Sequence, residues 1–406
     1  MARLLLLSNG HGEDLSGALL GQALQRCGHQ VDALPLVGGG HPYRDAGIPL
    51  MANTREFSTG GLGYTSLRGR LTELIQGQVL HLLQSLLRLI RIRRRYALVV
   101  VIGDVIPVMA AWLCGRPVAT YLVAYSSHYE GRLNLPWPCD NCLSSGRFLA
   151  VYSRDLLSAE DLSRQLGRPV RFLGNPFMDP VLAPATPRPP RRHRLALLPG
   201  SRRPELEHNL LLLLQVIQRL PTHLFSHQEL AVDLALIRSV DDAALQALIA
   251  PHAWQMHRSE HQLALVKGPL RVEVQRSAFA SVLQNANLVM SMAGTAAEQA
   301  VGLAKPVLQV AGKGPQFTAN FAEAQRRLLG PTVFCAEGDS GEPTTLDATA
   351  KLALELLEGS EQDNTLQQRC RQQAEERLGS MGGADRMASA ITDLLAPSQP
   401  SLSINP

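Results

Sequence analysis

A chain of 406 residues with 45% hydrophobic and 5% aromatic content is too long for one compact core, and the cores it forms must be aliphatic. A formal net charge of +4, with no Lys/Arg tract interleaved with aromatics, gives no reason to invoke nucleic acid. Six scattered cysteines, close together only at Cys139 and Cys142, read as free thiols of a reducing compartment, so a cytoplasmic chain of about two domains is expected.

The apolar run Leu4–Leu7 is too short for a signal-peptide core and reads as part of a buried strand, Arg3 to Leu7. It leads into Ser8-Asn9-Gly10-His11-Gly12-Glu13-Asp14, a glycine-rich turn with two carboxylates at the start of the next helix. A phosphate there would be repelled, and the lone Gly-x-Gly lacks the third glycine of a dinucleotide fingerprint. This half is therefore expected to handle neutral hydroxyls, with Glu13 or His11 placed to take a proton; turn and cap chemistry is the competing reading of both.

Further strands are expected at Gln30 to Ala33, Tyr96 to Ile102, Val118 to Val123, Phe148 to Tyr152 and Val170 to Leu173, alternating with helical patterns as in a parallel doubly wound sheet. From Val79 to Arg95, Val79, Leu82, Leu83, Leu86 and Ile90 recur at helical spacing, with His81, Gln84, Ser85, Arg88, Arg91 and Arg95 on the other face. That basic amphipathic helix either packs on its own domain or meets an anionic membrane surface or lipid substrate. Tyr96 to Gly115 is long enough to span a bilayer, but Gly103, Asp104 and Pro107 interrupt it at mid-depth, where a carboxylate costs ~2.5 kcal/mol or more. A strand, a polar turn and a helix fit better. Asp104 then lies at the carboxyl edge of the sheet, where open α/β folds place ligands; it is a base candidate and also a favoured helix cap, and the two roles can coexist.

Prolines crowd Gly174 to Arg194, which reads as a linker between an N-terminal domain over 1–180 and a C-terminal one over 195–380, with the linker proper at 181–194. In the second half strands are expected at Leu195 to Leu198, Val232 to Ile237, Leu263 to Val266, Leu288 to Met292, Pro306 to Val310 and Thr332 to Phe334, with a helix from about Pro204 to Leu220. The first strand enters Pro199-Gly200-Ser201-Arg202-Arg203-Pro204-Glu205, where Gly200 and Ser201 free backbone N–H groups beside two guanidinium groups. The fourth enters Ala293-Gly294-Thr295-Ala296-Ala297-Glu298, where Gly294 permits a tight turn and Thr295 opens a helix whose N–H groups favour phosphate. Glu298 follows within about one turn, the reach of a carboxylate that accepts from ribose hydroxyls. Together these segments describe a nucleotide diphosphate site, and no metal is called for because Arg202, Arg203 and the helix end can neutralise the leaving group. A last helix near Ala384 to Leu395, within 381–396, is expected to pack back toward the N-terminal domain. His257-Arg258-Ser259-Glu260-His261 matches a zinc-protease pattern without a third ligand, and Cys139-Asp140-Asn141-Cys142 lacks a second cysteine pair, so neither carries a function.

These pieces resemble, in order across roughly residues 3 to 320, the lipid-A-disaccharide synthase family. They are Gly12-Glu13 with Ser16-Gly17, Gly38-Gly39, Gly47-Ile48, Gly103-Asp104, Phe172-Leu173-Gly174-Asn175-Pro176 with Asp179, Leu197-Leu198-Pro199-Gly200-Ser201-Arg202 with Glu205, and Gly294-Thr295-Ala296 with Glu298. The resemblance implies two Rossmann-like domains facing a cleft (the GT-B architecture) and inverting transfer of a sugar from a UDP-sugar, itself a substrate with no further cofactor, to a hydroxyl, with a lipid-linked acceptor at the inner face of a membrane. It would make Asp104 or Glu13 the base, Arg202 the phosphate clamp and Glu298 the ribose ligand, with Asn175 on the donor side. The chain departs from the family pattern on the acceptor side: Ser16-Gly17 is displaced by one residue and followed by Ala18, Val105-Ile106-Pro107-Val108 replaces a polar stretch after Asp104, and the loop from Ala124 to Arg147 lacks the usual Trp-rich sequence. A UDP-sugar epimerase and a nucleotide-sugar-binding protein without catalysis are the competing classes.

Overall fold

The computed structural model describes residues 1–52, 78–259, 262–312, 319–362 and 364–396, which form two compact units: Met1–Phe177 with the segment from Gly382 onward, and Met178–Met381. The N-terminal unit is built on β1 (Arg3–Ser8), β2 (Gln30–Pro35), β3 (Leu98–Gly103), β4 (Val118–Leu122), β5 (Phe148–Ser153) and β6 (Val170–Phe172). They form one parallel sheet in the order β2-β1-β3-β4-β5-β6. β1 and β3 are aliphatic runs because helices cover both faces, the usual reason that parallel strands lack polar alternation.

Leu5, Leu7, Val99 and Val101 face a core closed by the Gln78–Ile92, Val105–Cys114, Cys139–Ser144 and Leu156–Leu166 helices. Leu4, Leu6, Val100 and Ile102 face the opposite core, closed by the His11–Arg26 helix and the C-terminal Gly383–Leu395 helix. The C-terminal helix contributes Met387, Ala388 and Ile391 to that core, while Arg386 donates to the Leu173 carbonyl at 2.9 Å and Thr392 Oγ1 lies 3.0 Å from His29 Nε2. So close is its start to the backbone of Gly174 that a Cβ on Gly383 would stand 2.8 Å from the Gly174 carbonyl carbon.

The C-terminal unit holds β7 (His193–Leu198), β8 (Leu230–Ala235), β9 (Gln255–Arg258), β10 (Leu263–Lys267), β11 (Leu270–Gln275), β12 (Leu288–Ser291), β13 (Val307–Gln309) and β14 (Val333–Cys335). Their order is β14-β13-β12-β7-β8-β11-β10-β9. The first six in that order run parallel, and β10 closes the sheet through antiparallel pairs with β11 and β9. This hairpin edge, containing the unexpected β9 and β11, departs from the wholly parallel sheet that the sequence implies. The proline-rich run is not a free tether: the Ala185 and Arg188 amides donate to Gln284 and Asn285 at 3.2 Å, and Gln284 donates in turn to the Val181 and Ala183 carbonyls at 2.6 Å.

Both sheets reverse direction at one place. From β1 the chain crosses to β2 on one side, whereas from β3 it crosses to β4 on the other; β7 leads outward to β8 and β12 to β13 in the same way. The loops at the carboxyl ends of these neighbouring strands therefore diverge, leaving the crevice in which open α/β sheets bind ligands.

Candidate active site

In the N-terminal unit the crevice lies between the β1 and β3 loops. Asp104 stands there as the N-cap of the Val105–Cys114 helix: its Oδ1 accepts from the Ile106 amide at 2.9 Å, and the Asn9 side-chain amide lies 3.1 Å from both carboxylate oxygens. Cap and crevice residue thus coincide in one side chain. Burial raises the Asp104 pKa above the ordinary carboxylate range, opposed by the Ile106 and Asn9 donors. Asn9 Oδ1 is itself buried without a partner among the described residues. Tyr125 extends the cluster, its hydroxyl accepting from the Val105 amide at 3.1 Å.

Glu13 and Asp14 occupy the first turn of the His11–Arg26 helix but meet different surroundings. Glu13 folds back over Gly10 so closely that a Cβ there would overlap its carboxylate. Asp14 points inward and is fully buried: Ser8 donates to Asp14 Oδ1 at 2.6 Å, and Tyr43 donates to Ser8 Oγ at 2.9 Å. Its other oxygen is buried without a hydrogen-bond partner among the described residues, and burial pushes the carboxyl up to about 7, with Ser8 opposing, Glu13 adding to the rise and the Gly40 amide opposing more weakly. The two-carboxylate repulsion read from the turn therefore rests mainly on Glu13. His11 opens the helix, and its side chain lies outside the described residues.

In the C-terminal unit the crevice lies between the loops after β7 and β12, the two segments singled out for a diphosphate. They touch directly: Met292 N donates to Leu198 O at 2.8 Å, and a Cβ on Gly200 would lie 3.4 Å from Met292 O. Gly200 also adopts φ +100, which L side chains rarely reach, so its backbone conformation calls for glycine. Asn209 braces the loop from beneath, donating to the Pro199 carbonyl at 2.9 Å. Ser201 and Arg202 are exposed, whereas Arg203 is paired with Glu207 one turn along the Glu205–Ile217 helix. Gly294 and Thr295 begin the Gly294–Gly302 helix, which has no side-chain cap and no acidic residue in its first turn. Its N-cap residue, Ala293, has no side chain that could cap the leading N–H groups, and Glu298 is half-buried one turn on. Gln309, at the end of β13 in register with Ser291, carries a buried Oε1 without a partner among the described residues.

Asn175 belongs to the N-terminal unit. It is fully buried there, its Oδ1 accepting from the Tyr121 hydroxyl and its amide donating to the Arg154 carbonyl at 2.9 Å, so it ties the ends of β4 and β5 together. Cys139 and Cys142 are buried free thiols packed in the N-terminal core, and burial pushes Cys139 up to about 12. His257 and Arg258 lie on edge strand β9, not on a helix, and Glu260 and His261 lie outside the described residues. Asn9, Tyr125 and Asn209 were not picked out from the sequence; Asn9 had a readable signal, standing directly after a buried strand in a glycine-rich loop.

No family model matches the chain, and no curated protein matches it by sequence. Solved structures do match it. CalG4, the calicheamicin glycosyltransferase, superposes with a TM-score of 0.62 at 18% identity over 98% of this chain and 100% of its own. The UDP co-structure of MnaA from S. aureus gives 0.56 at 12% identity, covering 99% of each chain, and the UDP-GlcNAc 2-epimerase of Methanocaldococcus jannaschii gives 0.53 at 12% over 96% of this chain and 99% of its own. The chain has the two-domain α/β fold of GT-B glycosyltransferases, a fold that UDP-GlcNAc 2-epimerases share.

Proposed function

We propose that this protein is a UDP-sugar-dependent glycosyltransferase that moves a sugar to an acceptor hydroxyl. The observation that carries the reading is the contact between the β7 and β12 loops, which sets exposed Arg202 and Ser201 on one side of the C-terminal crevice and the uncapped Gly294–Gly302 helix on the other. A diphosphate held there meets a guanidinium group and a run of backbone donors, and the same groups stabilise the charge that develops as UDP leaves. Glu298 accepts from the ribose hydroxyls. No metal or further cofactor enters this scheme.

On the acceptor side Asp104 is the base, with Glu13 and His11 as its rivals. The acceptor oxygen attacks the anomeric carbon, the bond to the β-phosphate oxygen breaks, the hydroxyl proton passes to the carboxylate and UDP departs with the bonding pair. Attack from the face opposite UDP inverts the centre. The raised Asp104 pKa suits such a base by increasing its proton affinity. A lipid-linked acceptor follows from the resemblance to lipid-A-disaccharide synthases, and places the enzyme at the inner face of a membrane.

Epimerases of the same fold support a second reading, in which the sugar is rearranged on UDP itself. Incubation with UDP-GlcNAc separates the two. A transferase releases UDP only when an acceptor is supplied; a changed sugar without any acceptor supports the epimerase, and no UDP binding at all overturns both.

A further inference from the structure

The Gln78–Ile92 helix is apolar on two sides. Leu82, Ser85, Leu86, Leu89 and Ile92 turn toward the sheet, Leu89 and Ile92 fully into its core. Nearly opposite, Leu80, Leu83, Leu87 and Ile90 form one stripe at helical spacing and are 61%, 53%, 64% and 39% exposed. The neighbouring Val105–Cys114 helix packs against it and exposes Met109, Trp112 and Leu113. Arg147 lies over the Trp112 ring at 5.2 Å, and Trp137 stands almost wholly exposed just before the Cys139–Ser144 helix, which closes the same core. Scattered exposed leucines need no explanation, but a row of four beside a second apolar helix does.

Charge says what covers it. From Leu74 to Tyr129 the chain carries six arginines, at 88, 91, 93, 94, 95 and 116, against one carboxylate, Asp104. That carboxylate is turned into the crevice cluster. Arg91, Arg94 and Arg95 are exposed at the end of the apolar stripe, whereas Arg88 and Arg93 donate to the Met51 and Cys114 carbonyls at 3.0 Å. Aliphatic side chains and tryptophans framed by arginine suit the boundary of a bilayer whose headgroups are anionic, and no described helix is long and apolar enough to cross one.

We propose that this two-helix face docks the protein on an anionic lipid bilayer, with Leu80, Leu83, Leu87 and Trp112 entering the acyl boundary and Arg91, Arg94 and Arg95 pairing with headgroup phosphates. The docking rests on the patch alone; that it presents the active site to a lipid-linked acceptor rests on the function proposed above.

The test is co-sedimentation of the full chain with phosphatidylcholine vesicles, with and without phosphatidylglycerol, at low and high salt. The parent should bind only the anionic vesicles and lose binding as salt rises. Replacing Arg91, Arg94 and Arg95 by Gln should weaken partitioning roughly 100-fold, about fivefold for each charge. An L80S/L83S/L87S variant should lose about tenfold or more while retaining salt sensitivity in what remains. Unchanged melting temperatures establish that both variants fold. Absence of parent binding to anionic vesicles at low salt overturns the proposal, as does equal partitioning of parent and variants. It is also overturned by a parent dimer that the leucine variant dissolves without any change in vesicle binding, since a second copy would then be the occupant. UDP titration of the same preparations reports separately on the donor site, so its failure leaves the docking result standing.

Discussion

Asp14→Asn probes the buried carboxyl beneath the β1 loop, and its effect should change with pH. Asp14 is fully buried, accepts one hydrogen bond from Ser8 at 2.6 Å and titrates at about 7. An unfolded carboxyl titrates near 4, so between roughly pH 4 and 7 the folded protein holds a proton that the unfolded chain has lost. Stability from this group is therefore fully present below about pH 4 and lost as pH rises through about 7. The span corresponds to about 4 kcal/mol as an upper bound, and less if the site relaxes around the charge. Asparagine keeps a carbonyl oxygen for Ser8 but cannot ionise. In urea titrations at pH 5 and pH 8, D14N should lie near the parent at pH 5 and exceed it at pH 8, by about 1 to 2.5 kcal/mol, since part of the span is already lost by pH 5. A variant equally destabilised at both values would show that Asp14 is ionised in the fold and that its carboxylate is held by Ser8 and the Gly40 amide.

Arg202→Ala and Glu298→Ala should each weaken UDP binding by about 1.5 to 3 kcal/mol, through loss of a charge-assisted phosphate contact and of a ribose acceptor; calorimetry showing unchanged affinity in both folded variants would remove the nucleotide from the C-terminal crevice. Asp104→Asn should leave UDP-sugar affinity nearly intact while cutting turnover roughly 100-fold or more, and the comparison with Glu13→Gln under single-turnover conditions identifies the base by the larger loss. Because Asp104 also caps its helix, D104N should lower the melting temperature only modestly, so a turnover loss explained by unfolding is detectable by thermal denaturation. Gly383→Val should cost about 1 to 3 kcal/mol in urea melts, since its branched side chain must displace the Gly174 and Asn175 backbone.

How much of this was legible in the sequence depended on whether a feature is local. All six N-terminal strands fall on the expected runs, and four of them end in Ser8, Pro35, Gly103 and Ser153; the central ones are clearest, because a doubly covered parallel strand has no polar face to blur it. Strand β9, Gln255–Arg258, is largely exposed and polar, and exists because it pairs with β10, not because of its composition. β11 was more readable: Leu270, Val272 and Val274 alternate inward after the Gly268-Pro269 turn that joins it to β10. The Gln78–Ile92 helix defeats a single-face reading because it is apolar on two sides. Leu83 and Ile90, grouped by spacing with Leu82 and Leu86, belong to the exposed stripe, and Ser85 is buried. Asn9 and Asp104 were each visible as loop residues, but their pairing depends on β1 lying beside β3, an adjacency fixed by a crossover that no periodicity encodes.

The two crevices share a topology and differ in charge, and that difference is the physical basis for the proposed assignment of donor to one unit and acceptor to the other. After β7 and β12 the loops present Arg202 and a helix without an acid in its first turn, so an anion gains both from the guanidinium group and from the helix dipole. After β1 and β3 the first turn of the His11–Arg26 helix contains Glu13, and the neighbouring loop carries Asp104 with its proton affinity raised. An anionic ligand there would face one carboxylate across another, whereas a hydroxyl can donate to either. The same asymmetry explains why the buried Asp14 does not disqualify the N-terminal loops: protonated near neutrality and bonded to Ser8, it supports the β1 loop from below without adding a second full charge to the crevice. Deprotonating it would bring that charge close to Glu13, so the charge of the β1 loop and the packing beneath it are coupled through one titration, the one that D14N removes.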